Sequence, residues 1–367
     1  MNDSPELKKA LVDGFSEALL QRLLSRPVTE TDPAELSSAV LGKRILITGG
    51  GGSIGLALAQ NILSLSPARL VVLDQAEIAV LDARAMLAQS ASNAECEVVL
   101  GNAGTGDCLA GVFSRECFDT VFHAAAYKHL DALETDPLAA IANNVLSAWH
   151  CLSVAADAGV ERFVLVSTDK AYQPSSVLGE SKYLAERLLL GGDLPGPVAV
   201  SALRFGNVLG SSGSVLEVFC RRLLLGRSLC ITDKDAERFF LTPREVSDYL
   251  LQVAATGEGG LYVADSGNAV NITDLAQRLL KALDMDSDSV AIEYTGLNPG
   301  EKLSEQMCDP GEVEDIGCGS LKRLRTEKLP ASLVAECLAE LQAVVESGDQ
   351  VAAREVLHGY VIKFLEN

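Results

Sequence analysis

The apolar positions of this chain follow two rhythms. Short continuous runs recur between residues 43 and 206: RILIT (44–48), RLVVLD (69–74), CEVVLG (96–101), TVFHAA (120–125) and RFVLVS (162–167). Runs that are apolar at successive positions suit strands buried on both faces. Between them lie stretches with helical spacing, first at about 53–65 and 76–90. Five such strands separated by helices predict an α/β fold, a Rossmann-type doubly wound parallel sheet. VAVSALRF (198–205) reads as a sixth strand.

The flanks follow other patterns. Leu7, Leu11, Phe15, Leu19 and Leu23 recur every four positions, so residues 5–25 predict one amphipathic helix, ended by Pro27. Residues 26–42 read as a linker. Beyond residue 207 the units shorten, with helices expected near 214–226, 244–256 and 271–284 and short strands near 229–232, 261–263 and 290–293. Two C-terminal helices are expected around Ser347-Gly348-Asp349. The organisation this predicts is an N-terminal helix and linker (1–42) and a dinucleotide-binding domain (43–206). A smaller substrate-binding lobe partly interleaved with it (207–328) and C-terminal helices (329–367) complete the chain.

Composition narrows the partners. The 367 residues carry 30 basic against 50 acidic side chains, a net charge of −20. Such a surface repels nucleic acid and anionic membranes. An acidic chain that binds an anionic cofactor must do so through backbone amides and a few placed cations. Nine cysteines, an odd number with no CxxC, read as reduced thiols in a cytoplasmic protein, with neither a disulfide frame nor a metal site. MNDSPELKKALVDGF lacks a signal-peptide core, and no apolar run approaches the roughly 20 residues of a membrane span.

The first candidate chemistry lies just after the first strand. In TGGGGSIG (48–55), Gly49, Gly52 and Gly55 are spaced GxxGxxG between a strand and a helix. A side chain in that turn would block a pyrophosphate, and the helix N-terminus offers free amides to it. The predicted dinucleotide contacts are therefore Gly49, Gly52, Ser53, Ile54 and Gly55. Asp74 ends the second strand about 20 residues on, where a carboxylate accepts from adenosine ribose hydroxyls and repels a 2′-phosphate. Gln75, Ala76 and Glu77 bring no cation, so NAD is favoured over NADP. Asp74 is equally placed to cap the next helix.

The second lies in VLVSTDKAYQPSSVLGESKYLAE (164–186). A buried strand ends in Ser167-Thr168-Asp169-Lys170, at the strand end where these folds bind ligands, and Lys182 follows on the next helix, one turn past Leu178. A hydroxyl, a carboxylate and an ammonium side by side suit proton transfer.

Six blocks in order, from the glycine motif through FHAAAYKHLDALETDP, STDKA, RFGNVLGSSGSV and RFFLT to PGEKLSE, resemble the CapD-like polysaccharide-biosynthesis proteins. The best-understood members of that family are UDP-N-acetylglucosamine 4,6-dehydratases. The likeness runs from about residue 24 to 310. Its lead-in resembles the segment that joins a membrane region to the catalytic domain in long members, a region this chain is expected to lack. The resemblance implies an internal redox reaction: hydride leaves hexose carbon 4 for tightly held NAD, water is lost across carbons 5 and 6, and the hydride returns to carbon 6. It implies that Thr168 orients the 4-hydroxyl, that Asp169 protonates the departing 6-hydroxyl, that Lys170 is the base at carbon 5 and that Lys182 holds the nicotinamide ribose. Asn102, Ala124 and Ala125 are added to the cofactor contacts. Lys128, His129, Asn207, Arg238, Glu301 and Lys302 are expected on the nucleotide-sugar side, and His123 is expected to pack inside its strand. A homo-oligomer is the family-level expectation.

Three positions depart from the family pattern. Leu178 stands where short-chain dehydrogenases carry the Tyr of Tyr-x-x-x-Lys, which moves the first deprotonation to Asp169, Lys170 or a water; Tyr172 is a weaker substitute. Asn298 replaces the Arg before PGEKL, and Asn102 replaces an acidic residue after the third strand. A carbon-4 epimerase and a non-catalytic NAD-binding protein are the competing readings. The Asp169–Lys170 pair favours elimination over epimerisation.

Overall fold

The computed structural model describes residues 7, 14–28, 31–90, 92–192, 196–286, 289–318 and 320–366. The expected strands form as β1 (Arg44–Thr48), β2 (Arg69–Asp74), β3 (Glu95–Leu100), β4 (Thr120–His123), β5 (Arg162–Val166) and β6 (Ala199–Arg204). Later strands are β7 (Asn207–Val208), β8 (Leu229–Ile231), β9 (Glu237–Arg238), β10 (Phe240–Leu241), β11 (Gly260–Ala264), β12 (Val270–Asn271), β13 (Ile292–Tyr294), β14 (Val313–Cys318) and β15 (Leu321–Leu324). Nine of them make one sheet in the order β3-β2-β1-β4-β5-β6-β11-β15-β14. From β3 to β11 every pairing is parallel, and β15 and β14 close the edge antiparallel. The doubly wound α/β sheet is therefore present. Its order reverses between β1 and β4, which opens a crevice at the carboxyl ends of those strands.

Strands with no exposed centre explain the continuous apolar runs. Ile45, Leu46, Ile47, Leu70, Val72, Val121, Phe122, Phe163 and Leu165 are all fully buried. One face packs on helices Pro137–Asp157 and Val177–Gly191 and on the C-terminal pair Ala331–Ser347 and Gln350–Leu365. The other packs on helices Pro33–Val40, Ser53–Ser64 and Pro243–Thr256. A third cluster joins the N-terminal segment to helices Val215–Leu224 and Ile272–Ala282, with Leu7, Leu23, Leu216, Phe219 and Leu279 at its centre.

Several expectations are corrected. Of the helix expected over 5–25, residues 5, 6 and 8–13 lie outside the described residues. Of the rest, Leu7 is helical and a separate helix runs over Glu17–Leu24, set apart because Gly14 takes φ +84 and the Ser16 side chain caps the Leu19 amide. The expected linker contains helix Pro33–Val40. Asp32 caps it and Leu36, Ala39 and Val40 are buried on the sheet. The strand foreseen near 261–263 as part of the small lobe is β11, a member of the main sheet. Helix Pro137–Asp157 has 21 residues and is long and apolar enough to span a bilayer, which no apolar run was expected to be. Its Ile141, Val145, Ala148, Leu152 and Ala155 are buried in the core, which accounts for its composition.

Candidate active site

A cavity of about 760 Å³ opens at the β1–β4 crevice. At one end is the glycine turn. Gly49 adopts φ +68, and a Cβ there would lie 2.4 Å from the Ala125 amide nitrogen. A Cβ on Gly55 would lie 2.5 Å from the Gly49 carbonyl. The turn is thus closed on itself and on the β4 end with no room for side chains. Helix Ser53–Ser64 begins there with Gly52 as its N-cap and no side chain bonded to its first-turn amides. Gly52, Ser53, Ile54 and Gly55 all line the cavity. Uncapped amides at a helix N-terminus fit a dinucleotide pyrophosphate.

Asp74 lines the same end. Its Oδ2 accepts from the Gly51 amide (3.0 Å) and its Oδ1 from the Ala76 amide (2.9 Å). It therefore braces the glycine turn and starts the next helix, and each oxygen keeps a second lone pair for a ribose hydroxyl. Asn102, Ala124 and Ala125 line the wall nearby, with Asn102 Oδ1 accepting from the Gly104 amide at 2.7 Å.

At the other end Thr168, Lys170, Leu178 and Lys182 line the cavity. Lys182 comes from helix Val177–Gly191, and its Nζ donates to the Val166 carbonyl at 2.7 Å. Burial depresses its pKa to about 8 despite the attraction of Glu186. Leu178, one turn earlier, is buried and offers no hydroxyl. Tyr172 does not line the cavity; burial and an Asp309 hydrogen bond raise its pKa to about 12. Lys170 Nζ donates to Asp169 Oδ1 (3.0 Å) and to Asn207 Oδ1 (3.1 Å), and the Thr168 hydroxyl donates to the same Asp169 oxygen (2.9 Å). Asp169 itself is fully buried behind the other two and off the cavity wall. Its short 3₁₀ turn, Asp169–Ala171, carries successive side chains to different sides, and Asp169 Oδ2 has no partner among the described residues.

The third wall is the loop at 211–215. Ser212 donates its amide to Ser53 Oγ (3.0 Å) and accepts from Lys128 Nζ through its carbonyl. His129 abuts Gly213, where a Cβ would lie 2.6 Å from the ring. Lys128, His129 and Asn207 thus share the cavity, and burial lowers the Lys128 pKa.

Arg238, Glu301 and Lys302 do not line it. Arg238 Nη2 is bonded to Glu301 Oε1 (2.7 Å), and its Nη1 donates to the Glu237 and Leu303 carbonyls. Its fork is occupied by that carboxylate and by backbone, not by solvent. Lys302 Nζ donates to the Tyr172 carbonyl at 3.1 Å and pairs with Glu305. The three hold the loop around residues 298–305 against the segment after Lys170.

Sequence reasoning missed the supports beneath the site. Asn144 sits in a π-helical turn, Ile141–Leu146, and clasps Tyr127 by accepting from its amide (2.8 Å) and donating to its carbonyl (3.1 Å). It also donates to Ser181 Oγ (3.1 Å). Two adjacent asparagines within an apolar helix were the available signal. Below the Asp169–Ala171 turn, Arg204 binds both oxygens of Glu186, with Nη2 to Oε2 at 2.6 Å, and Ser167 donates to Oε1. His123 is packed inside its strand as expected. It stacks on Phe163 and bonds Thr48 Oγ1 through Nδ1 (2.8 Å), and burial with nearby Lys182 lowers its pKa to about 3.

A family model described as "Polysaccharide biosynthesis protein" matches residues 45–318. Capsular polysaccharide biosynthesis protein CapD of Staphylococcus aureus is 33% identical over 305 residues, covering 82% of this chain and 51% of CapD. This chain thus spans about half of that relative's length. A UDP-glucose 4-epimerase of Rickettsia typhi is 31% identical over 289 residues, 75% of this chain and 81% of that protein. Among solved structures, the dTDP-glucose 4,6-dehydratase DesIV of Streptomyces venezuelae, crystallised with NAD, superposes with a TM-score of 0.65 at 24% identity, over 77% of this chain and 92% of DesIV. At that identity the likeness is one of fold. With the family model matched along most of its length on an extended short-chain dehydrogenase fold, the chain belongs to the CapD-like polysaccharide biosynthesis proteins.

Proposed function

We propose that this protein is an NAD-dependent nucleotide-sugar 4,6-dehydratase of polysaccharide biosynthesis, acting on UDP-N-acetylglucosamine or a related nucleotide hexose. The observation that carries the reading is one cavity, with an uncapped glycine turn at one end and Thr168, Lys170 and Lys182 at the other. Asp169 is bonded to two of those three.

When bound, NAD supplies the acceptance of hydride from carbon 4 and its return to carbon 6. The amides of Ser53, Ile54 and Gly55 would hold its pyrophosphate, Asp74 its adenosine ribose and Lys182 its nicotinamide ribose. Thr168 orients the 4-hydroxyl, and the proton of that hydroxyl passes through the threonine to the Asp169 carboxylate as carbon 4 is oxidised. Once carbon 4 is a ketone its neighbour at carbon 5 is acidified, and Lys170 takes that proton and returns one to carbon 5 when hydride reaches carbon 6. Asp169 supplies the proton it has gained to the departing 6-hydroxyl. From its buried position it does so through the Thr168 hydroxyl, which it already holds. Lys128 and His129 bring positive charge and a donor to the diphosphate side. A carbon-4 epimerase is the second reading, favoured by the Rickettsia relative and by the withdrawal of Asp169 from the cavity wall.

The test is purified holoenzyme with UDP-N-acetylglucosamine in deuterated water. The proposal expects a 4-keto-6-deoxy product with one deuterium at carbon 5. A carbon-4 epimer without deuterium supports the second reading. No turnover of UDP- or dTDP-hexoses by NAD-loaded protein overturns both. Lys170→Ala is expected to abolish turnover and leave NAD bound, and a wild-type rate in that variant refutes its role.

A further inference from the structure

We infer that Asn207 is a positioning residue for Lys170, setting the direction from which that amine meets carbon 5, rather than a grip on the nucleotide diphosphate. The inference rests on the dehydratase reading and deepens it. Its basis is the set of bonds around Lys170 Nζ. In the base form that the reaction requires, the amine nitrogen has four tetrahedral positions: its own carbon, two hydrogens and a lone pair. Two fixed acceptors, Asp169 Oδ1 at 3.0 Å and Asn207 Oδ1 at 3.1 Å, take both hydrogens. The remaining position carries the lone pair, on a side chain that lines the cavity. The proton of carbon 5 passes to that lone pair, and the C–H electron pair passes into the enolate of the 4-ketone. The resulting ammonium keeps both hydrogen bonds, so no reorganisation accompanies the transfer.

Both acceptors are held in register by backbone. The Asp169 amide donates to the Phe205 carbonyl (2.9 Å), continuing the β5–β6 pairing one step past the strand ends. The Asn207 amide donates to the Phe239 carbonyl (2.7 Å) and the Leu209 amide to the Leu241 carbonyl (2.8 Å), tying β7 to β10. Gly206 lies between the two ladders, where a Cβ would be 2.6 Å from the Phe239 carbonyl oxygen. The chain can turn from one ladder to the other only with glycine there, and that turn brings Asn207 opposite Lys170. Asn207 uses its acceptor oxygen on the lysine. A diphosphate, itself only an acceptor, would require its donor.

Two variants separate the roles. Asn207→Leu removes the acceptor at similar size. Asn207→Asp keeps an acceptor in place and adds a charge that repels diphosphate. A positioning role predicts that Asn207→Leu lowers kcat by roughly 10²-fold with KM changed by less than about threefold. It predicts that Asn207→Asp retains more kcat than the leucine variant, and that deuterium wash-in at carbon 5 slows in proportion to kcat. A crystal structure of the leucine variant is expected to have Lys170 Nζ displaced from Asp169. A diphosphate grip predicts the reverse: KM rises in both variants, most in Asn207→Asp, with kcat preserved, and that result overturns the inference. Unchanged kcat in the leucine variant also overturns it. Thermal unfolding and retained NAD establish that each variant is folded. If wild-type holoenzyme makes no 4-keto sugar, the dehydratase reading fails; if it does and the leucine variant keeps its kcat, only this inference fails.

Discussion

Lys182 is a cation held where the fold disfavours it, and replacing it has a calculable effect. Its side chain is buried, its pKa is lowered from 10.5 to about 8, and burial outweighs the attraction of Glu186. At pH 7 the lysine is an ammonium in both native and unfolded states, so the native state carries the burial cost in full. That cost is about 3 kcal/mol, because each pKa unit is worth about 1.4 kcal/mol. Lys182→Met removes the charge at similar length but leaves the Val166 carbonyl without its donor, a loss of about 1 kcal/mol. Cofactor-free Lys182→Met is therefore expected to be more stable than wild type by about 2 kcal/mol at pH 7 while losing turnover. The sign with pH follows from proton counting. Between about pH 8 and 10.5 the unfolded chain holds one more proton than the native one, so wild-type stability rises through that window relative to the variant. Urea unfolding followed by the fluorescence of the single tryptophan, Trp149, reads both quantities. A variant less stable than wild type at pH 7, or a difference that does not narrow by pH 10, refutes the reasoning.

Two further perturbations address the turn and the buried supports. Gly49→Ala adds a side chain at φ +68 and within 2.4 Å of the Ala125 backbone. It is expected to cost about 1–3 kcal/mol and to yield protein that no longer carries NAD through gel filtration, read by absorbance; full retention refutes the close approach. Arg204→Met leaves the Glu186 carboxylate buried with Ser167 but without its cation. The expected loss is about 3–5 kcal/mol in chemical denaturation, and Arg204→Met combined with Glu186→Leu is expected to recover most of it. A single variant as stable as wild type contradicts the pairing.

The central sheet was legible because strands buried on both faces leave an unmixed apolar run, and the glycine turn because its chemistry is local. The sheet's far edge was not. VEDIGC and LKRL mix charge with apolar positions, as an antiparallel edge with one wet face does. GLYVA reads the same whichever sheet it joins, so its place beside β6 had no signature of its own.

The site divides along the same line, between what neighbours in sequence decide and what distant partners decide. Thr168, Asp169 and Lys170 are consecutive, and their place at a strand end follows from the pattern. Which of them faces the cavity follows from a 3₁₀ turn whose amide anchor, the Phe205 carbonyl, comes from another strand. Arg238 was expected on the nucleotide-sugar side and instead meets Glu301, 63 residues away. A guanidinium committed to a carboxylate and one free for a ligand have the same sequence. Only the count of occupied donors tells them apart. The same count, applied to Lys170, gives the one direction in which its amine is open. Two hydrogens are taken by fixed oxygens, and the one direction left belongs to a group on the wall of the cavity.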